Sequence, residues 1–185
     1  KQALRERGCD RMRGPWDPSW TVDCGLLVDG FEASPFVMMP FNPSYHPEYF
    51  QKMGLECVKN LKALYLPTSA EPSDRMIRIV ERVKRRTGIN LRSIDLSRLE
   101  EELKIIIHLF NICWKEQWGF VPLEYEDLAF AAEDLKAIIV PELVLFAEKN
   151  GTPVGFSVVI PNINEFLSLT RNSGRVSRIL KFIWY

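Results

Sequence analysis

Apolar residues in this chain form two patterns: stripes at helical spacing and short unbroken runs. Two of the runs, Leu143 to Ala147 and Val158 to Ile160, lie on either side of Asn150-Gly151. Asn-Gly favours a type I′ turn, because both residues tolerate the positive φ that this turn requires. A half-exposed hairpin would alternate apolar and polar residues. The runs therefore predict two antiparallel strands, covered on both faces, in the centre of a sheet.

Helical spacing accounts for most of the remaining apolar residues. It predicts helices over 1–7, 47–53, 74–87, 98–118 and 124–139, a short one after Asn162 and a last one from about Arg175. In the helix over 74–87, Met76, Val80 and Val83 are the predicted buried face. Ser97 and Glu100 have the spacing of a capping box.

Three further short runs predict strands, over residues 9–13, 57–66 and 89–94. The stretch from 15 to 47 is rich in proline and aromatic residues, which indicates an ordered loop. Pro67 to Ser73 has the composition of a surface linker. Helices alternating with strands predict an α/β fold of the α+β type, in which a mixed, mainly antiparallel sheet is flanked by helices.

Charge and composition exclude some functions. The 185 residues include 24 basic and 24 acidic side chains, which argues against a general nucleic-acid binder. No apolar run is long enough to cross a bilayer, and residues 1–8 do not resemble a signal peptide. The first residue is not Met, and we expect the chain to be part of a longer protein. We predict no nucleic-acid partner and no membrane partner.

The four cysteines, Cys9, Cys24, Cys57 and Cys113, are scattered and do not stand at metal-ligand spacing. We therefore predict no metal site. Single cysteines in a chain of this size are typical of reduced thiols, which favours a cytoplasmic location.

Two stretches resemble the GNAT superfamily of N-acetyltransferases. The first is the hairpin, which reads Ala-Glu-x-Asn-Gly and then Pro-Val-Gly-Phe-x-x-x-x-Pro over 147–161. The second is the segment 48–56, which is similar to the Leu-Tyr-x-Lys-x-Gly-Phe motif of that superfamily. Lys52 and Gly54 match, but Phe50 stands where the superfamily often has a tyrosine that acts as general acid. A phenyl ring cannot donate a proton, so Phe50 cannot serve as that general acid.

The whole chain resembles bacterial proteins that have two GNAT-like domains in tandem. Arg-Gly-Pro-x-x-Pro-Ser at 13–19, Met-Met-Pro-Phe-Asn-Pro at 38–43 and Trp-Gly-Phe-x-Pro at 118–122 carry this likeness. It implies that 1–66 is the C-terminal part of a first domain and that 67–88 is a linker and connecting helix. It also implies that 89–185 is the N-terminal part of a second domain.

The resemblance implies an acyl-CoA-dependent N-acyltransferase that uses acetyl-CoA or another acyl-CoA. Its acceptor would be an amine on a small molecule or a peptide, and a homo-oligomer is compatible with it. The superfamily grips the cofactor pyrophosphate with an Arg/Gln-x-x-Gly-x-Gly/Ala loop, which is not found in this sequence. We expect that loop to lie outside the segment. The alternative function is a non-catalytic GNAT-like module for binding or assembly.

Few residues could perform acid–base catalysis. Tyr45 and His46 stand immediately before the motif helix, and we retain them as weak catalytic candidates. A solvated loop histidine is the alternative for His46. By the resemblance, Trp118, Gly119 and Phe120 wall the acceptor site. The alternative for these aromatic residues is that they fill a corner between helices.

Two basic segments have a second interpretation. Six basic residues and one glutamate lie between Arg75 and Arg86, and we predict a solvated helix face with a phosphate contact as the alternative. In the helix from Arg175, three basic residues share a face. We predict that this helix packs on its own domain, and a membrane surface is the alternative.

Overall fold

The computed structural model describes residues 2–17, 23–136 and 138–172. In them, the helices are α1 (Gln2–Glu6), α2 (His46–Lys52), α3 (Asp74–Thr87), α4 (Leu99–Trp114), α5 (Tyr125–Leu135) and α6 (Ile163–Leu169). The strands are β1 (Trp16–Asp17), β2 (Asp23–Cys24), β3 (Ile89–Ser93), β4 (Val144–Lys149) and β5 (Thr152–Val158). The predicted α+β class is confirmed. The predicted helix from Arg175 lies outside the described residues.

The main sheet is antiparallel in the order β3-β4-β5. Asn150 and Gly151 have φ of 52° and 76°, so both central residues of the turn have the positive φ of type I′. The predicted hairpin is confirmed. The prediction that both faces of the hairpin strands are covered is wrong for β5, where Val154 and Val158 are 45% and 46% exposed. In the described residues β5 is an edge strand.

The apolar core of this sheet lies between β4 and α4. Val144, Phe146 and Ile106 are buried, and Phe146 has no exposed surface. Burying a side chain of this size stabilises the fold by about 1.5–3 kcal/mol. Further apolar side chains from α5 and β5 pack around this cluster.

Arg92 of β3 adds a polar connection between the sheet and α4. Its Nη1 donates to both carboxylate oxygens of Glu102 at 2.8 and 3.0 Å, and its Nε donates to Glu148 at 2.6 Å. The guanidinium also lies 4.5 Å from the centre of the Phe146 ring. The hydrogen bond with Glu148, and then those with Glu102, raise the pKa of Arg92, so the guanidinium stays positively charged.

Local signals placed both ends of α3 correctly. The hydroxyl of Ser73 accepts a hydrogen bond from the amide of Met76, and Gly88 adopts φ of 66° after the last turn. The predicted capping box at Ser97 is wrong. The Ser97 hydroxyl and amide both donate to Asp95, at 2.6 and 2.9 Å, and a 3-10 turn over Leu96–Arg98 precedes α4.

Other predictions about strands, a buried helix face and helix ends are wrong. Residues 9–13 and 57–66 form no strand, since no described strand pairs with them. The predicted buried face of α3 is exposed, with Met76, Val80 and Val83 at 57%, 47% and 45%. Helix α4 ends at Trp114, four residues earlier than predicted, and α5 ends at Leu135.

Two compact units are found in the described residues. One contains the described residues of 2–62 together with 162–172, and the other contains the described residues of Ala63–Pro161. The division into 1–66, 67–88 and 89–185 stays a prediction. Among the described helices, none has both the length and the apolar character required to cross a membrane.

Candidate functional site

The first unit contains a cavity of about 460 Å³ beside helix α2. Its lining consists of Pro15, Gly25, Leu26, Met39, Pro40, Phe41, Asn42, His46 and Phe50. Most of these side chains are apolar. Among the described residues that line this cavity, only His46 has an ordinarily titratable side chain. The cavity is therefore suited to an apolar ligand that presents a polar group to one nitrogen base.

Helix α2 places His46 and Phe50 on one wall. The two residues are four positions apart, so they lie one above the other on the same helix face. Pro47 is in the first turn, where its missing amide leaves no hydrogen bond unmade. The superfamily-like segment predicted this helix, and the structure adds that its first residue faces a cavity.

Asn42 holds the loops that form the rest of the cavity. Its side-chain oxygen accepts from the Leu27 amide at 2.7 Å, and its side-chain nitrogen donates to the carbonyls of Leu27 and Pro43 at 3.2 and 3.0 Å. The residue is 8% exposed. Three hydrogen bonds from one buried amide lock residue 27 onto the 42–43 turn, which fixes the spacing between two walls.

Tyr45 lies at the rim of this site. Its ring contacts His46 edge-on, with ring centres 5.0 Å apart, and it also contacts the Tyr49 ring at 5.3 Å. Tyr45 is 52% exposed. The structure therefore brings the two catalytic candidates into contact, with only His46 lining the cavity. Their role in catalysis stays a prediction.

Cys24 stands next to the cavity residue Gly25, but it is not an activated nucleophile. Burial raises the pKa of the Cys24 thiol, and a hydrogen bond with Trp16 only partly opposes this. A raised pKa keeps the thiol protonated at neutral pH, whereas a nucleophilic cysteine needs a thiolate. Among the described residues, no three His, Cys, Asp or Glu side chains come close enough to hold a metal ion.

The proposed acceptor-site residues lie in the second unit, after α4. Phe120 packs on Phe110, with ring centres 6.2 Å apart, and Phe110 stacks on Trp114 at 5.6 Å. Trp118 is 41% exposed, and Gly119 has φ of 77° at the turn. Phe120 is thus partly buried against one aromatic ring of α4, while Trp118 is exposed. Substrate binding by these residues stays a prediction.

A second cavity, of about 550 Å³, lies along the exposed side of α4. Its lining consists of Lys104, Ile107, His108, Asn111, Ile112, Lys115, Leu123, Glu124 and Tyr125. The side chain of Asn111 accepts from the Leu123 amide at 2.8 Å and donates to its carbonyl at 3.0 Å. Trp118, Gly119 and Phe120 do not line this cavity.

Asn42 and Asn111 are the residues whose importance the sequence did not indicate. Each uses a single amide side chain to make reciprocal hydrogen bonds with the backbone of a residue 12 to 15 positions away. The available signal was an asparagine in an otherwise apolar setting, such as Asn42 between Phe41 and Pro43. That signal does not identify the distant partner.

Two curated bacterial proteins are similar to this chain. Protein YghO of Escherichia coli K12 is 28% identical over 166 residues, which cover 89% of this chain and 42% of that protein. Bacterial ceramide synthase of Caulobacter vibrioides is 30% identical over 184 residues, which cover 98% of this chain and 46% of that protein. The chain thus spans less than half the length of either relative.

No family model matches the chain, and no solved structure matches it. The likeness to these relatives covers both compact units.

Proposed function

We propose that this chain is part of an N-acyltransferase that moves an acyl group from an acyl-CoA thioester to an amine. The observation that carries the proposal is the 30% identity to bacterial ceramide synthase over 98% of the chain. A ceramide is an amide of a fatty acid and a long-chain amino alcohol, so its synthesis requires acyl transfer to nitrogen. The GNAT resemblance supports the same reaction class. The activity of the longer protein is included in this proposal.

The reaction requires one proton to move. The amine nitrogen attacks the thioester carbonyl, a carbon–nitrogen bond forms, and the carbon–sulfur bond breaks. The amine loses a proton and the leaving sulfur gains one, which yields an amide and a free thiol. His46 is the candidate to hold this proton, because its imidazole lines the apolar cavity. Tyr45 is the candidate to donate toward sulfur, because its ring contacts His46.

The cavity suits the acyl part of the cosubstrate better than its phosphates. Phe50, Leu26 and Met39 offer an apolar wall, whereas no Lys or Arg of the described residues lines it. Backbone amides of a glycine-rich loop would be needed for the pyrophosphate. Each missing charge-assisted hydrogen bond costs about 1.5–3 kcal/mol. The 185 residues alone are therefore expected to bind acetyl-CoA weakly in isothermal titration, and the longer protein tightly.

The acceptor is an amine on a small molecule or a peptide. In the proposal, Trp118, Gly119 and Phe120 form part of its binding wall, with the exposed ring of Trp118 as the contact surface. Replacing Trp118 by alanine should raise the KM for the amine and leave the KM for the acyl-CoA unchanged. An unchanged amine KM would remove Trp118 from the site.

The test measures thiol release by the longer protein from acetyl-CoA and from a long-chain acyl-CoA. A long-chain amino alcohol and a peptide amine serve as acceptors. His46→Gln should lower kcat by about 10²-fold or more. Tyr45→Phe should lower it less. Tyr49→Phe is the matched control, since the Tyr49 ring contacts Tyr45 but, in the described residues, not the imidazole of His46. Equal rates for the His46 and Tyr49 variants would contradict the assigned role.

The alternative is a GNAT-like module that binds without turnover. The specific observation that favours it is Phe50, a non-ionisable ring on the cavity wall where the superfamily often has a tyrosine. This alternative predicts that the longer protein binds acyl-CoA but releases no thiol with any amine. It also predicts that Phe50→Tyr creates no activity. Thiol release by the unmodified protein would exclude this alternative.

A further inference from the structure

Helix α3 exposes an apolar face that its sequence predicted to be buried. Met76, Ile79, Val80 and Val83 stand at i, i+3, i+4 and i+7, so they share one side of the helix. Their exposed fractions are between 45% and 57%, and no residue of α3 is buried. Four large apolar side chains in one exposed stripe form the kind of surface that binds a protein, a ligand or a membrane.

The rest of the helix is strongly basic. Its six basic residues are Arg75, Arg78, Arg82, Lys84, Arg85 and Arg86, against the two acidic residues Asp74 and Glu81. Arg78, Arg82 and Arg85 lie on the side opposite the apolar stripe, while Arg75, Lys84 and Arg86 lie near its borders. In the described residues, none of the six forms an ion pair with a carboxylate. The chain as a whole is neutral, so this positive charge is local.

We propose that α3 is an interfacial helix that lies on the surface of an anionic phospholipid bilayer. A phospholipid surface offers both complements at once: acyl chains for the aliphatic stripe and negative headgroups for the arginines. The long side chains of Arg75, Lys84 and Arg86 extend from the borders of the stripe to the level of the headgroups. Charge complementarity favours this occupant, because anionic headgroups would meet Arg75, Lys84 and Arg86 at the borders of the stripe, whereas a purely apolar protein partner would offer these three no counter-charge.

The dimensions of α3 determine how it would lie. Fourteen residues give a helix about 21 Å long, shorter than the hydrocarbon thickness of about 30 Å. The helix therefore lies parallel to the surface and does not cross the bilayer. Both ends are already capped, by the Ser73 hydroxyl and by Gly88, so the helix is formed before it meets lipid. This proposal departs from the expectation of no membrane partner, which rested on the absence of an apolar run long enough to cross a bilayer. The surface is separate from the acyltransferase proposal, and its test needs no activity.

The test is co-sedimentation of the 185-residue chain with vesicles. One set contains phosphatidylcholine alone, and the other contains phosphatidylcholine and phosphatidylglycerol at a ratio of about 7:3. Binding to the anionic set is expected to exceed binding to the neutral set by about tenfold or more, because about 1 kcal/mol per basic residue is available near such a surface. Raising the salt concentration should weaken it.

Two pairs of variants separate the apolar and charged contributions. V80D/V83D should weaken anionic-vesicle binding by about tenfold or more, because moving one aliphatic side chain from water into lipid raises the binding affinity by about tenfold. F130D/L169D is its control, since Phe130 and Leu169 are exposed on other helices. R75E/R86E should abolish the preference for anionic vesicles, because both arginines lie at the borders of the stripe. R5E/R7E is its control, with the same change in net charge at exposed positions. All four exchange exposed residues, and circular dichroism checks their folding.

Several outcomes would overturn the proposal. These are no binding to anionic vesicles, equal binding to neutral ones, or unchanged binding by V80D/V83D. A lipid-free dimer that V80D/V83D converts to a monomer would assign the stripe to a second copy of the chain. Another outcome is that the chain does not bind vesicles but binds a polyanion such as heparin tightly, and that V80D/V83D does not weaken this binding. That outcome would assign the helix to a soluble polyanion.

Discussion

The carboxylate of Glu102, only 3% exposed, accepts two hydrogen bonds from a single nitrogen of Arg92. The two residues come from α4 and β3, so the pair joins the helix to the sheet beside the apolar core. A buried carboxylate that loses its cation is strongly destabilising, although the pair itself contributes little relative to an apolar replacement. The interaction therefore acts as a constraint on which side of α4 faces the sheet.

The first prediction tests this constraint. Arg92→Met removes the cation and retains an apolar stem, and we expect it to lower the free energy of unfolding by about 3 kcal/mol. Arg98→Met is the control, because both partners of the Arg98–Glu101 pair are exposed to solvent and such a pair contributes little to stability. Urea unfolding followed by circular dichroism measures both. Equal losses would mean that Glu102 is not held by Arg92.

The second prediction concerns the hairpin turn. Gly151→Ala forces a side chain into φ of 76° and should cost about 1–2 kcal/mol of stability. Gly155→Ala is the matched control, because its new Cβ would meet the Cβ of Ala147 at 3.9 Å, an ordinary contact. Thermal unfolding of the two variants should differ by several degrees. The same Tm for both would contradict the turn geometry.

The third prediction isolates the hydrogen bonds of Asn42. Asn42→Asp keeps the acceptor for the Leu27 amide and loses the two donated bonds, whereas Asn42→Ala loses all three. The Leu27 amide should therefore stay protected from hydrogen exchange in the aspartate variant and exchange faster in the alanine variant. The alanine variant should lose about 1–3 kcal/mol of stability. Equal Leu27 exchange in the two variants would disprove this role of the side-chain oxygen.

The fourth prediction concerns pH. The hydroxyl and then the amide of Ser97 donate to Asp95, which lowers the pKa of the Asp95 carboxyl. Because the folded pKa is depressed, the stabilising effect is present above the unfolded pKa of about 3.9 and is lost as pH falls through the folded value. Carbon NMR titration of Asp95 should show this. Ser97→Ala should move the pKa upward, and no movement would exclude the hydroxyl as the main cause.

The fifth prediction concerns the segment 67–73, which is exposed and has no helix or strand. Limited digestion with a protease of broad specificity should cut there before it cuts the β4–β5 hairpin, because cleavage requires an accessible, extended backbone. The hairpin serves as the internal control. Simultaneous cleavage at both places would argue against a surface linker.

Local signals in the sequence predicted the elements whose ends depend on neighbouring residues. The Asn150-Gly151 turn needs only residues that tolerate positive φ, and the ends of α3 need only a serine cap and a glycine. The predictions failed where a distant partner was required. Residues 57–66 have the composition of a strand, yet composition does not supply a neighbouring strand to pair with.

The candidate site shows the same limit. The sequence placed Tyr45 and His46 at the start of a helix, but the cavity that His46 faces also depends on Pro15 and on residues 25–26 and 39–41. The side chain of Asn42 connects two of these loops through hydrogen bonds to the backbone of Leu27, and no periodicity in the sequence predicts this pairing. The sequence also could not distinguish a filled corner from a binding wall at Phe120, because both call for an aromatic residue.

By itself, the sequence determined the fold class, the hairpin and the amphipathic character of α3, since each follows from spacing and local backbone preference. Only the tertiary structure decided which apolar surfaces are covered. Val144 and Phe146 are buried because α4 packs on the sheet, whereas the equally apolar stripe of α3 stays exposed. The physical reason is that periodicity specifies that a face is apolar, and burial depends on whether another part of the molecule reaches it.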